Sequence, residues 1–168
     1  MAPLFVLLKW YPERLLAWLI VIVISVLGSH RYYIKKQANN PKMKAIFNGY
    51  LMSLFFLTVL SRLGISDYYI DIIPLHSYFE FVSTMRWEIL IDDILNIVLF
   101  VPFGVFVKIR NHDCDVSKIV ICGLGVSLTI EILQLLLRRG YFEVDDLINN
   151  TLGVFVGYLL YLIKYKND

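Results

Sequence analysis

The chain has 168 residues, of which 58% are apolar, 18% are charged and 15% are aromatic, and its mean hydropathy is +0.66. Soluble domains usually contain about 45–50% apolar and about 25% charged residues, so this composition argues against one. The many aromatic residues and the low charge exclude a disordered chain. The net charge of +2 is too small to indicate a nucleic-acid partner. We therefore expect one membrane domain.

Five apolar blocks in chain order predict five transmembrane helices, because each is about as long as a bilayer is thick. They cover residues 15–34, 45–65, 89–109, 116–137 and 147–163. Lysines and arginines follow the first block, which is typical of a retained span and argues against a cleaved signal peptide. Residues 3–10 before it are expected at the membrane interface or as a helix extension. The predicted fold is an all-α polytopic membrane helix bundle.

The segment between the second and third blocks, residues 66–88, mixes aromatic and polar residues around Pro74. This mixture predicts either a structured loop or a helix that lies flat on the membrane.

The distribution of cations orients the five spans. Six Lys and Arg residues fall on the side of the N-terminus and ten on the other side, which is cytoplasmic by the positive-inside rule. The N-terminus is then outside and the C-terminus inside. Cys114 and Cys122 lie on the cytoplasmic side of this topology and are expected to be reduced.

Polar side chains from three spans lie at similar depth below the outer face on this topology. Asn96 and Glu131 are each about 9–11 Å deep, at 1.5 Å of helix rise per residue. Asn150 lies just inside the last span from the same face. No cytoplasmic helix end has a comparable group of polar residues, and this asymmetry indicates a site near the outer surface.

Helical spacing puts these residues on shared faces. Asp92 and Asn96 are four residues apart, and Glu131, Gln134 and Arg138 follow positions i, i+3 and i+7. In the last span, one stripe runs from polar to small residues and consists of Asp146, Asn150, Gly153 and Gly157. The two glycines form a GxxxG pair, which predicts a close helix–helix contact.

Each of these features also has a purely structural interpretation. The acids at the helix starts, Asp92, Asp93, Asp145 and Asp146, can cap N-termini, and Arg138 and Arg139 can anchor at the interface. A carboxylate at the depth of Glu131 needs a partner or a wet cavity. It either pairs with Arg138 or Arg139 inside the membrane or belongs to a polar pocket that binds or transforms a ligand.

Three motifs occur in order: NIVLFVPFG at residues 96–104, EILQ at 131–134, and EVDDLINNTLGVFVG at 143–157. Together they resemble the VanZ-like family of bacterial membrane proteins, whose founding member is linked to resistance to the glycopeptide teicoplanin. Residues 72–78, with the sequence IIPLHSY, look like the Pro-containing loop of that family. Glu143 stands where the family often has Asp. The resemblance covers residues 45–163, so the first span looks like an addition to a four-helix core.

The resemblance divides the chain into an N-terminal helix with a basic loop (residues 1–44), a VanZ-like membrane domain (45–163) and a short basic tail (164–168). It also implies a bacterial plasma-membrane location. We expect a functional pocket formed by Asn96, Glu131, Gln134, Arg138, Arg139, Glu143, Asp145, Asp146 and Asn150. The expected partners are membrane lipids and a glycopeptide antibiotic or a lipid-linked cell-wall precursor, with no cofactor.

Two functions fit such a pocket. The first is a non-enzymatic protein that confers tolerance of teicoplanin-like glycopeptides by binding an amphiphile or envelope lipid. The second is a membrane enzyme that acts on a lipid-linked glycan or phospholipid, with Glu131 as the general acid or base and Arg139 holding a phosphate. A metal held by His76, Glu143, Asp145 and Asp146 is a weaker hypothesis. A transporter ranks last, because the sequence contains no inverted repeat.

Overall fold

The computed structural model describes residues 12–37, 39–60, 69–138 and 140–165. Six α-helices and two short strands lie in this part of the chain. In order they are α1 (Pro12–Lys35), α2 (Pro41–Phe55), β1 (Ile70–Asp71), α3 (His76–Thr84), α4 (Trp87–Arg110), α5 (Val116–Leu136), β2 (Phe142–Glu143) and α6 (Val144–Tyr165). Helix α2 continues as a π-helical turn over Phe56–Leu60. The predicted interfacial segment at residues 3–10 lies outside the described residues.

Among the described residues, five segments are long and apolar enough to cross a membrane, which confirms the predicted polytopic helix bundle. They are Leu16–Lys35, Pro41–Leu60, Trp87–Arg110, Val116–Leu136 and Val144–Lys164. The last helix begins at Val144, three residues earlier than the apolar block suggests. Asp145 and Asp146 therefore lie in its first turn, where the free N–H groups and the helix dipole favour carboxylates.

The chain divides into two compact units, with the boundary between residues 64 and 65. In the first unit, α1 packs against α2, and Gly49 lies directly under the side chain of Val26. Asn48 joins the two helices, because its Nδ2 lies 3.2 Å from both Ser29 Oγ and Tyr33 Oη. The structural boundary thus groups α1 and α2 together.

The second unit is built on a close crossing of α4 and α6. A Cβ added at Gly153 would overlap the backbone carbonyl oxygen of Ile97, and one at Gly157 would overlap that of Val101. Gly104 of α4 is pressed in the same way against the backbone of α6. The close contact expected of the GxxxG pair is confirmed, and α4 is the neighbour.

The two strands join the segment after α2 to the start of α6. They are parallel, with Ile70 opposite Phe142 and Asp71 opposite Glu143. Nothing in the apolar pattern predicts this two-residue pairing. The predicted structure in the loop is confirmed, because residues 76–84 form the helix α3.

Substitution at the α4–α6 crossing tests this packing. Gly157→Leu should lower the free energy of unfolding of the detergent-solubilised protein by about 1–3 kcal/mol, and with it the melting temperature, because an overpacked side chain forces the two backbones apart. Gly125→Leu in α5 is the matched control, since nothing lies within 4 Å of a Cβ added there. Equal melting temperatures for the two variants would contradict the contact.

Candidate functional site

Polar side chains from α4, α5 and α6 lie inside the second unit, near the start of α4 and α6 and the end of α5. We call them the polar cluster: Asp93, Asn96, Ser127, Glu131, Gln134, Asp145, Asp146, Asn149 and Asn150. All are buried except Asn96, which is half-buried. Four of the buried members are carboxylic acids, an unusual content for membrane-spanning helices.

Two hydrogen bonds join α4 to α6. Asn96 Nδ2 donates to Asp146 Oδ1 at 2.6 Å, and Asn149 Nδ2 donates to Asp93 Oδ1 at 2.9 Å. Because Asp146 and Asn149 are three residues apart, they share one face of α6. Gly153 and Gly157 form the later part of the α4–α6 contact. The polar residues form its earlier part, close to the start of α6.

Two further hydrogen bonds bring α5 into the polar cluster. Asn150 Nδ2 donates to Ser127 Oγ at 2.8 Å. One turn further along α5, Glu131 Oε2 accepts a hydrogen bond from the backbone N–H of Glu143 at 3.1 Å. Glu131 thus binds the strand β2 that leads into α6.

Asp145 caps the N-terminus of α3. Its Oδ1 accepts from the backbone N–H of Leu75 at 2.5 Å, and its Oδ2 accepts from the N–H and the hydroxyl of Ser77 at 2.8 Å each. Leu75 itself has a left-handed backbone, with φ of 63°, and provides no side-chain cap. The carboxylate of α6 therefore satisfies the free N–H groups of another helix.

Tyr78 connects α3 to the interior of the polar cluster. Its hydroxyl donates to Asn149 Oδ1 at 2.7 Å, and Asn149 in turn donates to Asp93. Burial, and then the negative charge of Asp93, raise the pKa of Tyr78. The hydroxyl is consequently protonated and donates in a fixed direction, and a chain of hydrogen bonds runs from Tyr78 to Asp93.

A second acid–base pair lies between the strands and α3. His76 Nδ1 contacts Asp71 Oδ2, and the hydrogen bond and charge of Asp71 raise the pKa of His76. Burial opposes ionisation of Asp71, but hydrogen bonds from His76 and the N–H of Ile73 outweigh it and lower the pKa of Asp71. Because the two pKa values shift apart, both side chains are charged between about pH 4 and 6.5. The ion pair helps to fix the loop before α3.

The structure brings together most of the residues expected in the pocket. Asn96, Glu131, Gln134, Asp146 and Asn150 all belong to the polar cluster. Glu143 contributes its backbone N–H to Glu131, and Asp145 faces α3.

The i+7 spacing predicts that Arg138 shares the buried face of Glu131, but the structure shows that it does not. Helix α5 ends at Leu136, and Arg138 adopts a left-handed conformation with φ of 52° and is exposed. Residue spacing predicts a shared helix face only within a helix, and Arg138 lies beyond the end of α5, so the prediction is wrong. Arg139 lies outside the described residues.

Three members of the polar cluster are absent from the expected set: Asp93, Ser127 and Asn149. Asp92 was expected to share the face of Asn96, but Asp93 is the buried acid of the two. Both spacings, i+3 and i+4, fit a helical face, so helix packing makes the choice. Asn149 could have been found from its i+3 spacing to Asp146.

The hypothesis of a metal site gains no support from the described residues. No group of three or more His, Cys, Asp or Glu side chains there could hold an ion. His76 pairs with Asp71, and Asp145 binds the start of α3. What the polar cluster offers instead is hydrogen bonding to a polar group in a mostly apolar unit.

The sequence model of the family described as VanZ/LLP1 matches residues 15–165. This match includes most of α1, whereas the resemblance based on the three motifs begins only at residue 45. The chain is 26% identical over 132 residues to a protein described as "Protein VanZ" from Enterococcus faecium, covering 74% of this chain and 80% of that protein. No solved structure matches the chain.

Removal of the Asp145 carboxylate tests the cap on α3. Asp145→Ala should destabilise α3 by about 0.5–2 kcal/mol, the usual cost of a lost helix cap, because the N–H groups of Leu75 and Ser77 lose their acceptor. Faster amide hydrogen exchange over residues 76–84 would report this loss. Asp115→Ala is the control, since Asp115 precedes α5 and makes no side-chain cap hydrogen bond. Unchanged exchange in the Asp145 variant would show that α3 does not depend on this cap.

Proposed function

Because the chain belongs to the VanZ/LLP1 family, we propose that this multi-pass membrane protein contributes to tolerance of teicoplanin-like glycopeptides. In this proposal the polar cluster binds the head group of an amphiphile, either an envelope lipid or the glycopeptide itself. The apolar part of the same molecule stays in the bilayer. A site built into membrane-spanning helices near one end suits such a ligand, which is polar at one end and apolar at the other.

The observation that supports this proposal is the burial of four carboxylic acids and several amides in three helices. Insertion of one charged Asp into a membrane helix costs about 2.5–3.5 kcal/mol at the helix centre. The glycines of α4 and α6 already provide a close helix contact without any polar side chain. Packing alone therefore does not require the polar cluster, whereas recognition of a polar ligand does.

A membrane enzyme acting on a lipid-linked glycan or phospholipid is the second candidate. The hydrogen bonds from Tyr78 to Asn149 and from Asn149 to Asp93 favour it, because they hold a buried carboxyl group in one position, as a general acid or base requires. Turnover of a defined lipid by the purified protein would support the enzyme. Binding without turnover would support the first proposal.

The cation distribution supports an N-terminus outside the cell and a C-terminus in the cytoplasm. In this orientation α3 and the starts of α4 and α6 face outwards, where glycopeptides act. The proposed ligand then reaches the polar cluster from the outer leaflet.

Cysteine labelling of intact cells tests this orientation. In a variant that carries Cys114→Ser and Cys122→Ser, Ser83→Cys should react with a membrane-impermeant maleimide. Asn111→Cys should react only after the cells are opened. Both positions are exposed, so their reactivity depends on the side of the membrane. The reverse labelling pattern would overturn the orientation and with it the access from outside.

Neutral isosteres in the polar cluster test the function. Glu131→Gln and Asp146→Asn should reduce tolerance of a lipidated glycopeptide to the level of a strain without the protein, because each replaces a buried carboxyl group with an amide of the same shape. The minimum inhibitory concentration is the measurement, and the melting temperature of the purified variants checks the fold. Asp115→Asn, at an exposed position, is the control. Full tolerance with both folded cluster variants would make the polar cluster purely structural.

A further inference from the structure

The asparagines of the polar cluster turn their side-chain nitrogens towards other parts of the protein. Each donates to an oxygen on a neighbouring helix, and the pairs are Asn96–Asp146, Asn149–Asp93 and Asn150–Ser127. The oxygen of Asn149 is also engaged, by the hydroxyl of Tyr78. What remains in the polar cluster is therefore biased towards acceptors of hydrogen bonds.

Two buried oxygens in particular have no hydrogen-bond partner among the described residues. They are Asp93 Oδ2 and Asn150 Oδ1, and both residues are only 4% exposed. A buried acceptor without a donor is costly, so native proteins rarely retain one without a reason. The Ser77 hydroxyl also acts on the Asp93 carboxylate by hydrogen bonding, but it donates its one proton to Asp145 Oδ2 at 2.8 Å, so both oxygens still need a donor.

The charges around Asp93 specify that donor further. Asp146, Asp145 and Asp92 are the charged groups that act on its carboxylate in the described structure, and all three are acidic. No lysine or arginine is among the buried residues of the same described ranges. A donor that also carries a positive charge would satisfy the free oxygen and offset the repulsion among these acids.

We propose that the head group bound by the polar cluster carries a primary ammonium group, which donates to Asp93 Oδ2. Tyr78 fixes the side chain of Asn149, and Asn149 Nδ2 donates to Asp93 Oδ1 and so holds the carboxylate in position. This inference rests on the proposed function and names the chemistry of its ligand. The ammonium group belongs to either a membrane lipid or an amine-bearing glycopeptide.

Two lipids that differ only in the ammonium group provide the test. The purified full-length protein in nanodiscs is titrated with a phospholipid that has an ethanolamine head group and with its choline counterpart of identical acyl chains. The ethanolamine lipid has three N–H donors and the choline lipid has none. We expect only the ethanolamine lipid to raise the melting temperature. In a parallel arm, an amine-bearing glycopeptide is compared with its N-acetylated form, which distinguishes the two sources of the amine.

Substitutions in α4 connect this preference to Asp93. Asp93→Asn should weaken the binding of the amine-bearing ligand at least tenfold and remove the preference over its capped form. Glu88→Gln, the same carboxyl-to-amide change at an exposed acid in the first turn of α4, should retain both affinity and preference. Asp93→Glu keeps the carboxylate and should retain the preference. If neither Asp93 variant folds, the comparison of lipids and glycopeptides on the unaltered protein decides.

Equal stabilisation of the unaltered protein by amine-bearing and capped ligands would overturn the ammonium proposal. The proposed function would survive that result, because an amphiphile still binds. It would fail separately if the Glu131→Gln and Asp146→Asn variants fold and keep full tolerance. Unchanged amine preference in folded Asp93→Asn would also overturn the inference, since Asp93 would then not be the anionic partner.

Discussion

The close approach of α4 and α6 determines the rest of the second unit. Gly153 and Gly157 let the two backbones touch, and only at such a separation can short side chains such as Asn and Asp bond across the gap. Inside a membrane these polar groups must find partners within the protein, because lipid offers none. The same small residues that bring the helices together thus make the polar cluster possible.

The part of the second unit that contains β1 and α3 depends on residues of α6 and β2. Asp145 caps α3, and Tyr78 of α3 reaches Asn149. The pairing of β1 with β2 holds the chain that leads into α3 beside the start of α6. One turn of α6 therefore both supports α3 and forms part of the polar cluster.

Much of the candidate site could be predicted from helical spacing, because the spans are long and regular. Helical spacing and position along the spans placed Asn96, Glu131 and Asn150 together, and all three belong to the polar cluster. The same reasoning failed for Arg138, since it assumes a helix that in fact ends at Leu136. It also placed Asp92 rather than Asp93 on the face of Asn96, because residues three and four apart both fit one helical face.

The sequence by itself determined the number of spans and the glycine contact, because both follow from hydrophobicity and helical periodicity. Only the tertiary structure decided which polar residues meet. The pairing of Asn149 with Asp93, the cap that Asp145 provides for α3, and the strand pair join residues between 56 and 72 positions apart. Such contacts depend on how helices pack against one another, and no local pattern along the chain records that.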